Sequence, residues 1–179
     1  MGGMLIIGAG LAGLTVAETL RAEGYEGSIT LLGDETHPPY QRPPLSKAYL
    51  LGETREAQLT MRPAEVLAKR NIDLRVPEGT QSAGAGATAI DRAAKRVTLG
   101  DGSTLAYDGL ALCTGARLRP LPLAGAGWQG VHGLRSLDDA KAIAAALETA
   151  QNVVIIGGGF IGLEVAAVAR KKDKKVTVL

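Results

Sequence analysis

A chain of 179 residues, 46% hydrophobic and 21% charged, is long enough to bury a sizeable core and reads as one large globular domain or parts of two. Its net charge of +2, with no basic stripe interleaved with aromatics, argues against nucleic acid as a partner. No stretch approaches the ~20 apolar residues of a membrane span, and the lone Cys113 rules out an intrachain disulfide, so a cytoplasmic protein without membrane association is expected.

The 24 glycines and 3% aromatic content favour a backbone-dense α/β architecture. Residues 4–7 are a short apolar run of the kind found in buried parallel strands. Residues 11–22 carry apolar side chains at helical spacing and stop before Gly24, a suitable residue just past a helix end. Residues 28–32, "SITLL", are a second strand, completing a βαβ unit. Residues 63–70 predict a helix with Pro63 in its first turn, and 72–76 another strand. The small-residue stretch 77–87 is expected as a flexible loop. Strands follow at 88–91, 96–99 and 104–107, with Gly100–Asp101–Gly102 as a hairpin turn, and then at 110–114. Residues 117–130, rich in Pro and Gly, form a crossover in which Trp128 is expected to pack. "SLDDAKAIAAALETA" is a helix capped by Ser136 or Asp138.

The opening then repeats. "NVVIIGGGFIGLEVAAVARKKDKKVTVL" has the same order of strand, glycine turn, helix and strand as the first 32 residues, so the fold class is α/β with two Rossmann-like dinucleotide-binding units. Gly8, Gly10 and Gly13, like Gly157, Gly159 and Gly162, are spaced for a tight turn, a close approach to a pyrophosphate, and helix–strand packing. Phosphates would rest on the free N–H groups at the helix starts, Leu11–Ala12 in one unit and Phe160–Ile161 in the other. An acid should follow the second strand to bind a ribose hydroxyl. Asp34 and Glu35 both stand at about that place, and the spacing does not choose between them.

Between the first βαβ unit and the rest lies "PPYQRPPLSKAYLLG", a stiff loop carrying Arg42 and Lys47, with Ser46 as a possible helix N-cap. This loop, with "GAGLAGL", "AIDRAAKRVTLGDGSTLAYD", "CTGARLRPLP", "LRSLDDA" and "GGGFIGLEVAA", resembles the flavin-dependent ferredoxin and rubredoxin reductases, in the same order along nearly the whole chain. The resemblance implies FAD on the first unit and NAD(P)H, with NADH the expected donor, on the second. It implies residues 1–116 as the N-terminal part of an FAD-binding domain and 117–179 as the incomplete start of an NAD(P)H-binding domain, the whole being part of a longer reductase. The isolated chain is then expected to hold FAD weakly and NADH not measurably.

By the same resemblance Arg42 and Lys47 lie along the FAD, with Lys47 near its reactive edge, and Ala87, Thr114, Gly115 and Arg117 are its neighbours. Glu164 faces the nicotinamide pocket; its bland alternative is a helix-surface charge. Lys47 and Glu164 are the candidate catalytic residues. The acceptor is a ferredoxin or rubredoxin. The short helix after the first unit, "LSKAYLLG", has no cysteine, which excludes the dithiol relay of disulfide reductases. His37 and His132 lack a second ligand at metal spacing, so no metal site is expected. "KKDKK" reads as a solvated helix end. The same motifs also serve flavoproteins resembling apoptosis-inducing factor, in which NADH changes conformation rather than driving turnover.

Overall fold

The computed structural model describes residues 2–77, 86–122, 124–125 and 127–179. The chain separates into two compact units, Met1–Tyr40 with Thr60–Gly115, and Gln41–Leu59 with Ala116–Leu179. The proline-rich loop therefore groups with the later part of the chain, where a contiguous reading of the sequence puts it with the earlier part.

In the first unit, β1 (Met4–Ile7), β2 (Ile29–Leu32), β3 (Ile72–Arg75) and, later in the chain, β7 (Gly109–Leu112) form a parallel sheet in the order β3-β2-β1-β7. The helix α1 (Leu11–Ala22) links β1 to β2. It closes with Gly24 at φ +82, where the Tyr25 N–H donates to the Leu20 carbonyl and the Gly24 N–H to the Arg21 carbonyl. β4 (Ala87–Asp91), β5 (Arg96–Leu99) and β6 (Thr104–Ala106) make a separate antiparallel sheet, turned at Gly102 as the sequence predicts. Of the loop expected over 77–87, residues 78–85 lie outside the described residues.

Strand β1 is buried on both faces, which is why it reads as an unbroken apolar run. Ile6 packs with Leu14 and Ala17 of α1 and with Leu31, Leu67 and Ile72. Leu5 and Ile7 point the other way, against Val97, Leu99 and Tyr107. Burying each such aliphatic side chain contributes about 1.5–3 kcal/mol. Leu67 comes from a short helix, α4 (Ala64–Lys69), which lies within the predicted 63–70.

The second unit begins with a 3-10 turn, Pro43–Ser46, followed by the short helices α2 (Ala48–Leu51) and α3 (Glu56–Leu59). Helix α5 (Leu137–Thr149) precedes β8 (Asn152–Ile155), α6 (Phe160–Lys171) and β9 (Lys175–Val178), with β8 and β9 parallel. Leu50 of α2 is almost fully buried among Ile143 and Leu147 of α5 and Val168 and Ala169 of α6. That plug explains why residues 41–59 belong to this unit. Ser136, rather than Asp138, caps α5: its hydroxyl accepts the Asp139 N–H, while the Asp139 carboxylate accepts the Ser136 N–H. Helix α6 ends as "KKDKK" predicts, with Arg170 and Lys171 in the last turn and Asp173 at φ +58. Trp128 departs from expectation. It is 74% exposed rather than packed, with its ring over Gly125. No helix of the described residues is long and apolar enough to cross a membrane.

Candidate functional site

Each glycine of the first turn has its own physical reason. Gly8 leaves β1 at φ +111, and a β-carbon there would come 2.0 Å from the Cys113 carbonyl oxygen. One on Gly13 would come 1.9 Å from the Gly8 carbonyl oxygen. The protein itself fixes both as glycine. Gly10 differs. Its backbone, at φ −83 and ψ −168, is open to any residue, and no protein atom lies within 4 Å of where its β-carbon would stand. Nothing in the fold requires glycine at position 10, and its absent side chain leaves the turn open to a group approaching from outside. The second turn repeats the pattern. Gly157 has φ +108, a β-carbon on Gly162 would stand 2.3 Å from the Gly157 carbonyl oxygen, and Gly159 at φ −74 faces open space.

The helices behind these turns begin without help. Neither α1 nor α6 has a side-chain cap or an acid in its first turn, so the N–H groups at Leu11–Ala12 and at Phe160–Ile161 and the positive dipole ends are left for an anion. Helix α5, by contrast, starts with a capping box and two first-turn aspartates. The residues present therefore suit a dinucleotide pyrophosphate at both turns.

The two acids after β2 are also separated. The Tyr40 hydroxyl donates to Glu35 Oε2 at 2.5 Å, tying that carboxylate into its own turn. Asp34 is exposed, and its Cβ lies 3.5 Å from the position a β-carbon on Gly86 would take, beside Ala87. Asp34 and Ala87 thus come together at one edge of the first unit. Thr114 and Gly115, the latter at φ +65, follow Cys113, whose N–H donates to the Ile7 carbonyl, and so lie beside the Gly8 turn. Arg117 is exposed just beyond. Among the described residues no His, Cys, Asp and Glu side chains gather as metal ligands. An open cavity of about 1080 Å³ lies at the opposite, amino-terminal ends of β1 and β2. Its Arg21 is spent on the backbone carbonyls of Tyr25, Gly27, Arg70 and Asn71, which makes that side a structural seam.

In the second unit the proline loop holds a compact set of polar contacts. Pro43 opens the 3-10 turn, and Arg42, just before it, donates through a terminal nitrogen to the Arg135 carbonyl at 3.0 Å. Arg135 also donates through Nε to the Ala116 carbonyl at 2.9 Å, and its N–H donates to the Asp139 carboxylate. Sequence reasoning missed Arg135, because neither helical period nor capping marks a residue that joins segments far apart in the chain.

The ammonium of Lys47 lies 2.9 Å from Glu164 Oε1. The Ser46 hydroxyl donates to Glu164 Oε2 at 2.5 Å. Ser46 is thus no helix cap: Lys47 occupies the N-cap position of α2 without a side-chain bond, and the serine reaches across to α6 instead. These contacts favour the ionised carboxylate, the Ser46 hydrogen bond most strongly and then that of Lys47, and hold the Glu164 pKa below the ordinary glutamate value. The two candidate catalytic residues, 117 positions apart in sequence, are brought into one ion pair.

Against known proteins, residues 3–179 match the model of the pyridine nucleotide-disulphide oxidoreductase family. The chain is 47% identical over 176 residues to a rhodocoxin reductase of Rhodococcus erythropolis, covering 98% of this chain and 40% of that protein. It is 45% identical over 174 residues to the ferredoxin–NAD(+) reductase component of a biphenyl dioxygenase system from Paraburkholderia xenovorans, covering 97% and 41%. A crystal structure of the ferredoxin reductase for the CYP199A2 system of Rhodopseudomonas palustris superposes with a TM-score of 0.91 at 40% identity, over 99% of this chain and 42% of that one. The chain spans about two-fifths of the length of these relatives. With the family match running through both glycine turns, the proline loop and the Glu164 helix, this chain belongs to the pyridine nucleotide-disulphide oxidoreductase family.

Proposed function

We propose that this chain carries the cofactor-handling part of a flavoprotein that passes electrons from NADH through FAD to a ferredoxin- or rubredoxin-type protein in the cytoplasm. The observation that carries the reading is the pair of middle glycines, Gly10 and Gly159, each free of any protein-imposed need for glycine and each in front of an uncapped helix. Two such turns suit two dinucleotides. The relatives' names supply the electron-transfer role, and the ferredoxin–NAD(+) reductase of Paraburkholderia xenovorans favours NADH as the donor.

Bound FAD supplies an isoalloxazine that accepts a hydride and gives up electrons one at a time. The N–H groups of the Leu11 helix would hold its pyrophosphate, Asp34 its ribose, and the Ala87 backbone its adenine end. Glu35, whose carboxylate accepts the Tyr40 hydroxyl, is the other candidate for the ribose. Thr114 and Gly115 would stand beside its pyrophosphate, and Arg42 and Arg117 are the further candidates for contact with it. Gly157, Gly159, Phe160, Ile161 and Gly162 hold the nicotinamide dinucleotide. Lys47, paired with Glu164, is the cation that would stabilise negative charge developing on the flavin when it is reduced. With Cys113 the only cysteine, at the end of a strand in the parallel sheet, this chain supplies no dithiol relay, and electrons leave the flavin directly.

The test uses the full-length protein that contains this chain. It should be yellow, bleach with NADH and reduce a ferredoxin. Lys47→Ala should slow flavin reduction about 10²-fold, the usual loss on removing one such electrostatic group, while FAD retention changes little. Failure of NADH to bleach the bound flavin sinks the reading. Equal losses in retention and rate would make Lys47 only an anchor.

A further inference from the structure

Ser46 is the one buried polar side chain among the described residues, at 6% exposure. A hydroxyl in that position needs a partner, and Ser46 finds it in an acid 118 residues away. Ser46 and Lys47 are neighbours in the chain, yet they grip opposite oxygens of one carboxylate, at 2.5 Å on Oε2 and 2.9 Å on Oε1. The backbone allows this because it breaks between the 3-10 turn and α2: Lys47 sits at φ −126 and ψ −108, outside either helix.

An exposed lysine–glutamate pair alone fixes little, because both side chains keep rotamer freedom and water screens them. The Lys47 side chain is 54% exposed. What sets this pair apart is that its acid is held from the other side by a donor with no freedom to leave. We propose that Ser46 is the positioning residue of the Lys47–Glu164 pair: it pins the carboxylate so that Oε1 faces Lys47, and thereby fixes where the ammonium stands. The inference rests on the proposed function for its meaning, since a defined cation matters only if charge develops next to it.

The elements packed against α6 offer few other groups that could set the state of Glu164. The 3-10 turn and β8 carry no ionisable side chain, α2 carries Tyr49, β9 carries Lys175, α5, which shares the Leu50 cluster with α6, carries Asp138, Asp139, Lys141 and Glu148, and α6 itself has Arg170 and Lys171 at its far end. Lys47 is the ion-pair partner the structure shows, and Ser46 the hydrogen-bond donor.

The deciding measurement is the titration of the Glu164 carboxyl by ¹³C NMR on glutamate-labelled protein, with the resonance identified by its loss in Glu164→Gln. In Ser46→Ala the midpoint should move up toward that of ordinary glutamates. Ser46→Cys, of nearly the same volume but a poor donor, should do the same and covers the case in which the alanine variant fails to fold. Ser46→Thr, which keeps the hydroxyl, should titrate as the parent does. An unchanged midpoint in Ser46→Ala or Ser46→Cys overturns the proposal, as does a threonine variant that behaves like alanine. In the full-length protein, Ser46→Ala should also slow flavin reduction by NADH roughly tenfold, less than the ~10²-fold expected of a 1 Å misplacement of a reacting group. A shifted midpoint with an unchanged rate would leave the positioning intact and overturn the assignment of the pair to hydride transfer.

Discussion

Gly8 and Gly157 hold nearly the same backbone angle, φ +111 and +108, yet an added β-carbon would strike the Cys113 carbonyl at the first and meet nothing within 4 Å at the second. The difference lies in the walls around the turns. Strand β1 has a partner on each side, β2 and β7, and buries Leu5, Ile6 and Ile7. Strand β8 pairs with β9 in a two-stranded sheet, and Val154 at its centre is 61% exposed. The turn nevertheless forms identically in both. Its essential contact, Gly13 on the Gly8 carbonyl or Gly162 on the Gly157 carbonyl, is made inside the strand–turn–helix itself. The contact that closes the nucleotide turn is thus internal to the strand–turn–helix in both units.

The harshest way to break this comparison is to put alanine at the first glycine of each turn. Gly8→Ala combines an unfavourable positive φ, about 1–3 kcal/mol, with displacement of the Cys113 carbonyl, about 1–3 kcal/mol more. Gly157→Ala meets only the backbone cost of about 1–3 kcal/mol. Urea unfolding should show the larger loss at position 8. Equal losses would mean that the wall around the first turn yields freely. Gly13→Ala and Gly162→Ala, by contrast, should lose similar amounts, about 1–3 kcal/mol each, because the atom they strike belongs to the turn in both units.

The middle glycines should dissociate stability from binding. Gly10→Ala and Gly159→Ala meet no protein atom and sit at ordinary backbone angles, so stability should hold or rise by about 0.4–1 kcal/mol. In the full-length protein, retention of FAD in the first case, and binding of NADH in the second, should fall at least about tenfold, or about 1.4 kcal/mol. Retained affinity at both positions would remove the observation on which the proposed function stands.

What was legible in the sequence was whatever is set by neighbours in the chain. The parallel strands, the paired glycine turns, the Gly24 and Asp173 helix ends and the Gly102 hairpin all follow from local backbone preference and from apolar runs buried on both faces. What was not legible depends on contacts across the chain. Leu50 reads as one apolar residue of a four-residue helix, and only its fit between α5 and α6 carries residues 41–59 into the second unit. Ser46 precedes a helix and so looks like a cap, but a carboxylate from α6 outcompetes the backbone for its hydroxyl. Arg135 lacks any periodic signal, yet joins Arg42, Ala116 and Asp139. That the Glu35 carboxylate accepts the Tyr40 hydroxyl was likewise invisible in the sequence.

A milder perturbation separates a helix that caps itself from the two that follow the glycine turns without a cap. Ser136→Ala removes one arm of the capping box on α5 and should cost about 1 kcal/mol. Neither α1 nor α6 has a comparable cap to lose. Thermal melting with and without FAD and NADH sharpens the point. Ligand should leave the Ser136→Ala deficit in place, because that helix end is served by the chain's own side chains. A deficit erased by either nucleotide would show α5 to be a third anion-binding end.

The smallest effect concerns pH and the Glu164 clamp. The folded protein holds this carboxyl below the ordinary glutamate value of about 4.3, because the Ser46 hydroxyl and then the Lys47 ammonium favour the ionised form. A group whose pKa is depressed by folding contributes stability that is fully present above its unfolded value, and that is lost as pH falls through the folded one. Glu164→Gln keeps an acceptor for Ser46 but abolishes the ion pair, so it should be less stable than the parent at neutral pH. The gap should close on acidification, as the parent's carboxyl takes up a proton and becomes the amide's near equal. The gap will be modest, since the Lys47 side chain is half exposed and water screens the pair. Urea midpoints of both proteins at pH 7, and at the lowest pH where both stay folded, decide it. A gap that widens toward acid would mean that the folded state prefers the protonated acid, and the clamp would then have to be read as a neutral hydrogen bond.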